Sequence, residues 1–163
     1  MTSAIESLTQ ELGNLLKQKN WKLSTAESCT GGGLGFYLTS MPGSSEWYEG
    51  GFITYSNTAK MEMLNVKSTT LDTYGAVSEF TASEMAEGAL EHSHTDISVA
   101  ITGIAGPDGG SEDKPVGMVW MAYAGKNIET ITHVDIFPGN RTEIRFNTIA
   151  RVIEQLVTII KFS

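Results

Sequence analysis

Residues 22–38, KLSTAESCTGGGLGFYL, decide how this chain is to be read. A short β-prone run at 22–26 leads into Glu27-Ser28-Cys29-Thr30 and three glycines. Residues 34–38 then continue as the body of a helix begun near Thr30. Strand, small polar residues, glycines and helix in that order are the signature of an α/β protein, and they set Ser28 near a helix N-terminus. Free backbone N–H groups at such a place can stabilise an oxyanion or bind a phosphate. A tight turn with an N-cap is the other reading of the same residues. The lipase-type Gly-x-Ser-x-Gly elbow does not apply, because position 26 is alanine.

Outward from this stretch the pattern stays α/β. Towards the N-terminus, Ile5, Leu8, Leu12, Leu15 and Leu16 recur at helical spacing and predict an amphipathic helix over 3–19. Towards the C-terminus, Pro42-Gly43-Ser44-Ser45 is a turn, 51–56 a strand, and Asn57 the expected N-cap of a helix through Leu64. A helix is predicted around 79–92, where Ala82, Met85, Ala86 and Ala89 share a face. Residues 97–102 form a short apolar run, as expected of a strand covered on both faces, and a glycine-rich loop follows over 103–114. Two strands, 116–124 and 128–137, flank Gly125-Lys126-Asn127 as a hairpin. The last helix covers 141–161 with Ile149, Val152, Ile153, Leu156, Val157 and Ile160 inward. Helices interleave with strands and one strand pair must be antiparallel, so the class is α/β with a mixed sheet covered by helices. With no linker or internal repeat, residues 1–163 read as one domain.

The bulk properties narrow the function. A chain of 163 residues, 40% hydrophobic and 18% charged, is long enough for a real core. A net charge of −8 and a pI near 4.8 repel a phosphate backbone, so nucleic acid is not an expected partner. One phosphate on a small substrate remains compatible, since a few placed cations suffice to hold it. The single Cys29 excludes a disulfide framework and a cysteine-based metal cluster. The mixed-charge amphipathic N-terminus and the absence of a long apolar run predict a cytoplasmic protein without a membrane span.

Three segments carry more glycine and polar residues than a simple fold needs. The first is the Ser28 turn. In the second, residues 50–60 (GGFITYSNTAK), Tyr55 ends a strand and Lys60 falls in the first turn of the next helix. The positive end of the helix dipole, with partial burial, lowers a lysine pKa there and favours the neutral amine a general base needs. An exposed lysine is the plainer alternative. The third, residues 102–110 (TGIAGPDGG), lies at the end of a buried strand, where ligands of open α/β sheets bind; it is neither a P-loop nor a dinucleotide fingerprint. Ser111-Glu112-Asp113-Lys114 matches Ser-x-x-Lys but adjoins a proline in an acidic run with no helix to align it. His92 and His94 suggest a solvated helix end, and His133 with Asp135 a surface pair. Arg145 lies on the inward stripe of the last helix, where an arginine needs an anionic partner, and Arg141 could join it; the alternative is a packed stem with its head in water.

Taken together, AESCTGG (26–32), GGFITYSNTAK (50–60), GAVSEFTASEMAEGA (75–89), TGIAGPDGGSEDKPVG (102–117) and FPGNR (137–141) resemble the C-terminal domain family of the competence/damage-inducible protein CinA, in its stand-alone nicotinamide-nucleotide amidase form. The resemblance spans nearly the whole chain. It implies a three-layer α/β/α domain with a mixed, mostly parallel sheet. It also implies hydrolysis of nicotinamide mononucleotide to nicotinic acid mononucleotide and ammonia, without metal or other cofactor. The family serine and lysine map onto Ser28 and Lys60, with Tyr55 close by. In the scheme that fits, Lys60 takes the proton of Ser28, Ser28 attacks the carboxamide, and amides near Gly31 and Gly32 hold the oxyanion. Thr30, Thr102, Gly103 and Gly106 then line the substrate site and Arg145 meets the phosphate. Cys29 is the rival nucleophile, and a catalytically idle binding module acting through a protein partner is the rival function. A homodimer is expected.

Overall fold

The computed structural model describes residues 2–163. Five strands, β1 (Leu23–Glu27), β2 (Tyr48–Ile53), β3 (Ile97–Gly103), β4 (Met118–Gly125) and β5 (Ile128–Ile136), form one sheet in the order β2-β1-β3-β4-β5. β1 pairs in parallel with β2 and β3, whereas β4 is antiparallel to both β3 and β5. Four strands therefore run one way and β4 alone runs back.

Six helices sandwich the sheet: α1 (Thr2–Lys19), α2 (Gly33–Thr39), α3 (Asn57–Leu64), α4 (Ser68–Tyr74), α5 (Glu79–His92) and α6 (Arg141–Lys161). One face carries large residues, with Leu23, Ile97, Val99, Ile101, Val119 and Met121 packed among α1, α2 and α6. The other face is small, with Ala26, Ala100, Ala122 and Ala124 packed against Ala82, Ala86 and Ala89 of α5. That choice lets α5 lie close to the strands, near enough for Ser98 Oγ to donate to the Ala86 carbonyl at 2.6 Å. A β-strand alternates its side chains, so the odd residues of β3 feed one layer and the even ones the other. The three-layer α/β/α arrangement follows.

The predicted elements are all present, with shifted ends. β2 starts at Tyr48 and stops at Ile53, so Thr54 and Tyr55 lie in a connection rather than in the strand. Ser56, not Asn57, caps α3: its Oγ accepts from the Ala59 amide at 3.0 Å, and Asn57 is already helical. β4 begins two residues after Val116. The helix α4 is unanticipated, because STTLDTY buries only Leu71 and the polar Thr70 and so carries no clear apolar period.

Candidate active site

The four strands that share a direction all end at the same edge of the sheet, and the connection after each sends residues to one cavity. Its volume is about 250 Å³. Ser28 and Cys29 follow β1, Tyr55 and Lys60 follow β2, Thr102, Gly103 and Ala105 come from the end of β3, and Arg141 follows β5. Ala76, between α4 and α5, completes the wall. In a larger groove of about 510 Å³ between α1 and residues 37–42, the Thr9 and Ser40 hydroxyls donate to backbone carbonyls of their own helices.

Ser28 sits one residue beyond β1, still tied to β3 by its amide bond to the Ile101 carbonyl at 3.0 Å. The chain then turns through Gly31 (φ 59°) and Gly32 (φ 99°). The left-handed backbone angle at Gly32 calls for glycine there, while the nearest side-chain atom to a Cβ, the exposed Ile53 Cδ1, could move aside. The amides expected to await an anion are partly spent. Gly31 N–H donates to the Ser28 carbonyl at 3.0 Å, and Leu34 and Gly35 N–H donate to the Glu27 carboxylate at 2.9 and 3.0 Å.

Lys60 is 1% exposed, far from the solvated lysine that composition alone would suggest. Its Nζ lies 3.0 Å from each of three oxygens: Ser28 Oγ, the Thr54 carbonyl and the Tyr55 carbonyl. Burial pushes its pKa below the ordinary lysine value, because the charged form loses hydration, with the nearby Cys29 opposing. Nζ donates to both carbonyls and to Ser28 Oγ, whose own proton reaches the Tyr55 carbonyl at 3.4 Å. In the neutral form two N–H groups still serve the carbonyls, and the lone pair is free to face the serine hydroxyl.

Cys29 is adjacent but differently placed. Burial pushes its thiol up to about 11, and the Glu27 carboxylate adds to the effect. A thiol held protonated is a poor nucleophile at neutral pH, and Lys60 bonds Ser28 rather than Cys29. Tyr55 meets Lys60 through its backbone carbonyl; the residue is 62% exposed, and its hydroxyl accepts from Arg141 Nη2 at 3.3 Å.

The other candidates separate into two groups. Thr102 and Gly103 line the cavity, and the Thr102 hydroxyl donates to the Ala76 carbonyl at 2.7 Å. Thr30, Gly31, Gly32, Gly106 and Arg145 do not line it. Arg145 places Nε 3.1 Å from the Cys29 carbonyl and Nη2 3.2 Å from the Thr30 carbonyl, so it binds the turn itself. Arg141 is the helix α6 cation at the cavity, holding the Gly106 carbonyl at 2.7 Å. Sequence reasoning gave no part to Ala76 or Glu27; an acid between a β-prone run and Ser28 was the available signal for the latter. Lys114 donates to the Tyr74 carbonyl and forms no dyad with Ser111. Among the described residues no cluster of three or more His, Cys, Asp or Glu is arranged for a metal ion, and no helix is long and apolar enough to cross a membrane.

Comparison with known proteins points the same way. The family model of the CinA C-terminal domain matches residues 5–160. The nicotinamide-nucleotide amidohydrolase PncC of Escherichia coli K12 is 47% identical over 154 residues, covering 94% of this chain and 93% of that one. A protein of the same name from Enterobacter agglomerans is 48% identical over 141 residues, 86% of each chain. The crystal structure of the competence/damage inducible protein CihA from Agrobacterium tumefaciens superposes with a TM-score of 0.92 at 44% identity, covering 95% of this chain and 94% of that one.

Proposed function

This chain belongs to the CinA C-terminal domain family, and we propose that it hydrolyses the carboxamide of nicotinamide mononucleotide to nicotinic acid mononucleotide and ammonia. The observation that carries the reading is a buried amine 3.0 Å from a serine hydroxyl in a cavity, within a chain so similar to nicotinamide-nucleotide amidohydrolases. Neutral Lys60 takes the Ser28 proton as Oγ attacks the carboxamide carbon. The tetrahedral oxyanion is held by the turn's remaining amides, that of Cys29 at the cavity first, since Ser28 and Gly31 N–H already bond carbonyls; each such donor is worth about 3 kcal/mol. Lys60 passes the proton to the departing nitrogen, which leaves as ammonia, and the nicotinate stays as an ester on Ser28. Water then attacks that ester, gives its proton to Lys60, and the proton returns to Ser28 as the acid is released.

In this reading Arg141, the cation at the cavity, meets the substrate phosphate, and Thr102 and Gly103, which line the same cavity, flank the nucleotide. Local positive charge there offsets a chain whose formal net charge is −8. The reading carries with it a cytoplasmic, homodimeric enzyme of pyridine-nucleotide recycling that works without a metal.

Ammonia release by the purified protein from nicotinamide mononucleotide, nicotinamide riboside and nicotinamide tests this. The mononucleotide is expected to be strongly preferred, and Arg141→Ala to raise its KM about 10-fold while leaving the riboside unaffected, as for loss of one charge-assisted contact. No ammonia from any of the three would favour a binding module instead. Indifference to the phosphate would remove Arg141 from the scheme.

A further inference from the structure

Glu27 has no part in that scheme, yet it is 2% exposed and directly precedes Ser28. A buried carboxylate is costly unless donors meet its oxygens. Three do, and all come from the chain that follows. Oε1 accepts from the Thr30 hydroxyl at 2.5 Å and the Leu34 amide at 2.9 Å, while Oε2 accepts from the Gly35 amide at 3.0 Å. These donors lie 3, 7 and 8 residues on, so one carboxylate ties the Ser28 turn to the first turn of α2. The main chain of the same residue grips the other half of the site. The Glu27 carbonyl accepts from the Thr54 amide at 2.9 Å, and the Thr54 carbonyl in turn accepts from Lys60 Nζ at 3.0 Å. Glu27 is thus bonded both to the turn that carries Ser28 and to the segment that holds Lys60.

We propose that Glu27 is a positioning residue for the Ser28–Lys60 pair, its carboxylate setting the turn so that the serine hydroxyl stays within reach of the amine. The proposal rests on Ser28 being the nucleophile. A displacement of about 1 Å at such a pair costs on the order of 100-fold in rate. Glu27→Gln keeps the size of the side chain but puts an NH2 where an oxygen accepted, so at least one donor among Thr30, Leu34 and Gly35 faces another donor.

The test has two arms: steady-state ammonia release from nicotinamide mononucleotide, and the rate at which a fluorophosphonate probe labels Ser28, followed by mass spectrometry. The second arm needs no knowledge of the substrate. Glu27→Gln is expected to lower kcat about 100-fold with KM within about twofold. Labelling should slow in proportion yet reach the wild-type stoichiometry. Thr30→Val, which removes one donor of the three, should fall about 10-fold and serves if the first variant does not fold. The proposal is overturned if both variants label at the wild-type rate. It is equally overturned if only part of the protein can be labelled and that part reacts normally, the outcome of a purely structural role. Wild-type protein that labels at Ser28 but releases no ammonia would remove the substrate reading and leave the labelling arm to decide Glu27. Failure to label Ser28 in any form would remove the nucleophile and this proposal with it.

Discussion

The turn after β1 and the turn after β2 bring their side chains within 3.0 Å of each other, but they are held by different bonds. The first is braced by residues other than Ser28. Glu27 takes three donors from residues 30–35, and Arg145 holds the carbonyls of Cys29 and Thr30. The second is closed in part by the functional side chain itself, since Lys60 bonds the carbonyls of Thr54 and Tyr55. One turn presents its residue on a scaffold that does not need it. In the other, the proposed base is also a fastener, so chemistry and stability are linked at Lys60 and separable at Ser28.

The sharpest way to break this contrast is to compare Ser28→Ala with Lys60→Ala. Ser28→Ala is expected to cost roughly 10⁴-fold or more in kcat while leaving the thermal midpoint close to wild type. Lys60→Ala should cost about 10³-fold in kcat and also destabilise the fold by about 2 kcal/mol, lowering the midpoint by roughly 5 °C. It leaves a void and takes the donor from the buried Thr54 carbonyl, while the part-buried Tyr55 carbonyl keeps only the Ser28 hydroxyl at 3.4 Å. Equal midpoints for the two variants, by thermal unfolding, would abolish the distinction.

A second measurement sharpens it through pH. Burial lowers the Lys60 pKa from its ordinary 10.5, so kcat/KM should rise with pH through an apparent pKa below that value, as the amine becomes free to act as base. Stability carries the matching sign. Between the folded pKa and 10.5 the unfolded chain binds more protons than the folded one, so stability rises with pH across that window; the cost is fully present below the folded pKa. The midpoint of wild type relative to Lys60→Met should therefore improve on going up through this range. A pH-independent difference would mean that Lys60 titrates alike in both states.

The smallest effect is expected at Cys29, which belongs to the first turn but whose thiol has no part in the proposed chemistry. With its thiol pushed up to about 11, Cys29→Ala should keep kcat within about threefold, and alkylation by iodoacetamide at pH 8 should be slow. An inactive Cys29→Ala together with an active Ser28→Ala would exchange their roles.

Much of this molecule was legible in its sequence because the signals are local. The Leu and Ile spacing of α1 and α6, the apolar run of β3 and the glycines after Thr30 each report on a few neighbouring residues, and those elements stand where the pattern puts them. α4 escaped because its short, polar sequence has too few inward residues for a period to show. Ser28 and Lys60 could be nominated from their places in a turn and a first helical turn, but each had a plain structural alternative.

What only the tertiary structure decided is which side chains meet. Ser28 and Lys60 are 32 residues apart and face each other because β1 and β2 pair in parallel and end at one edge. Arg141 and Arg145 show the limit most clearly. At about 100° per residue they differ by only ~40° around α6, so periodicity places both on one side. Their separation of about 6 Å along the axis sends one to the cavity and the other to the carbonyls of the Ser28 turn. Periodicity carries angle but not distance to the sheet edge, and the paired strands supply that distance.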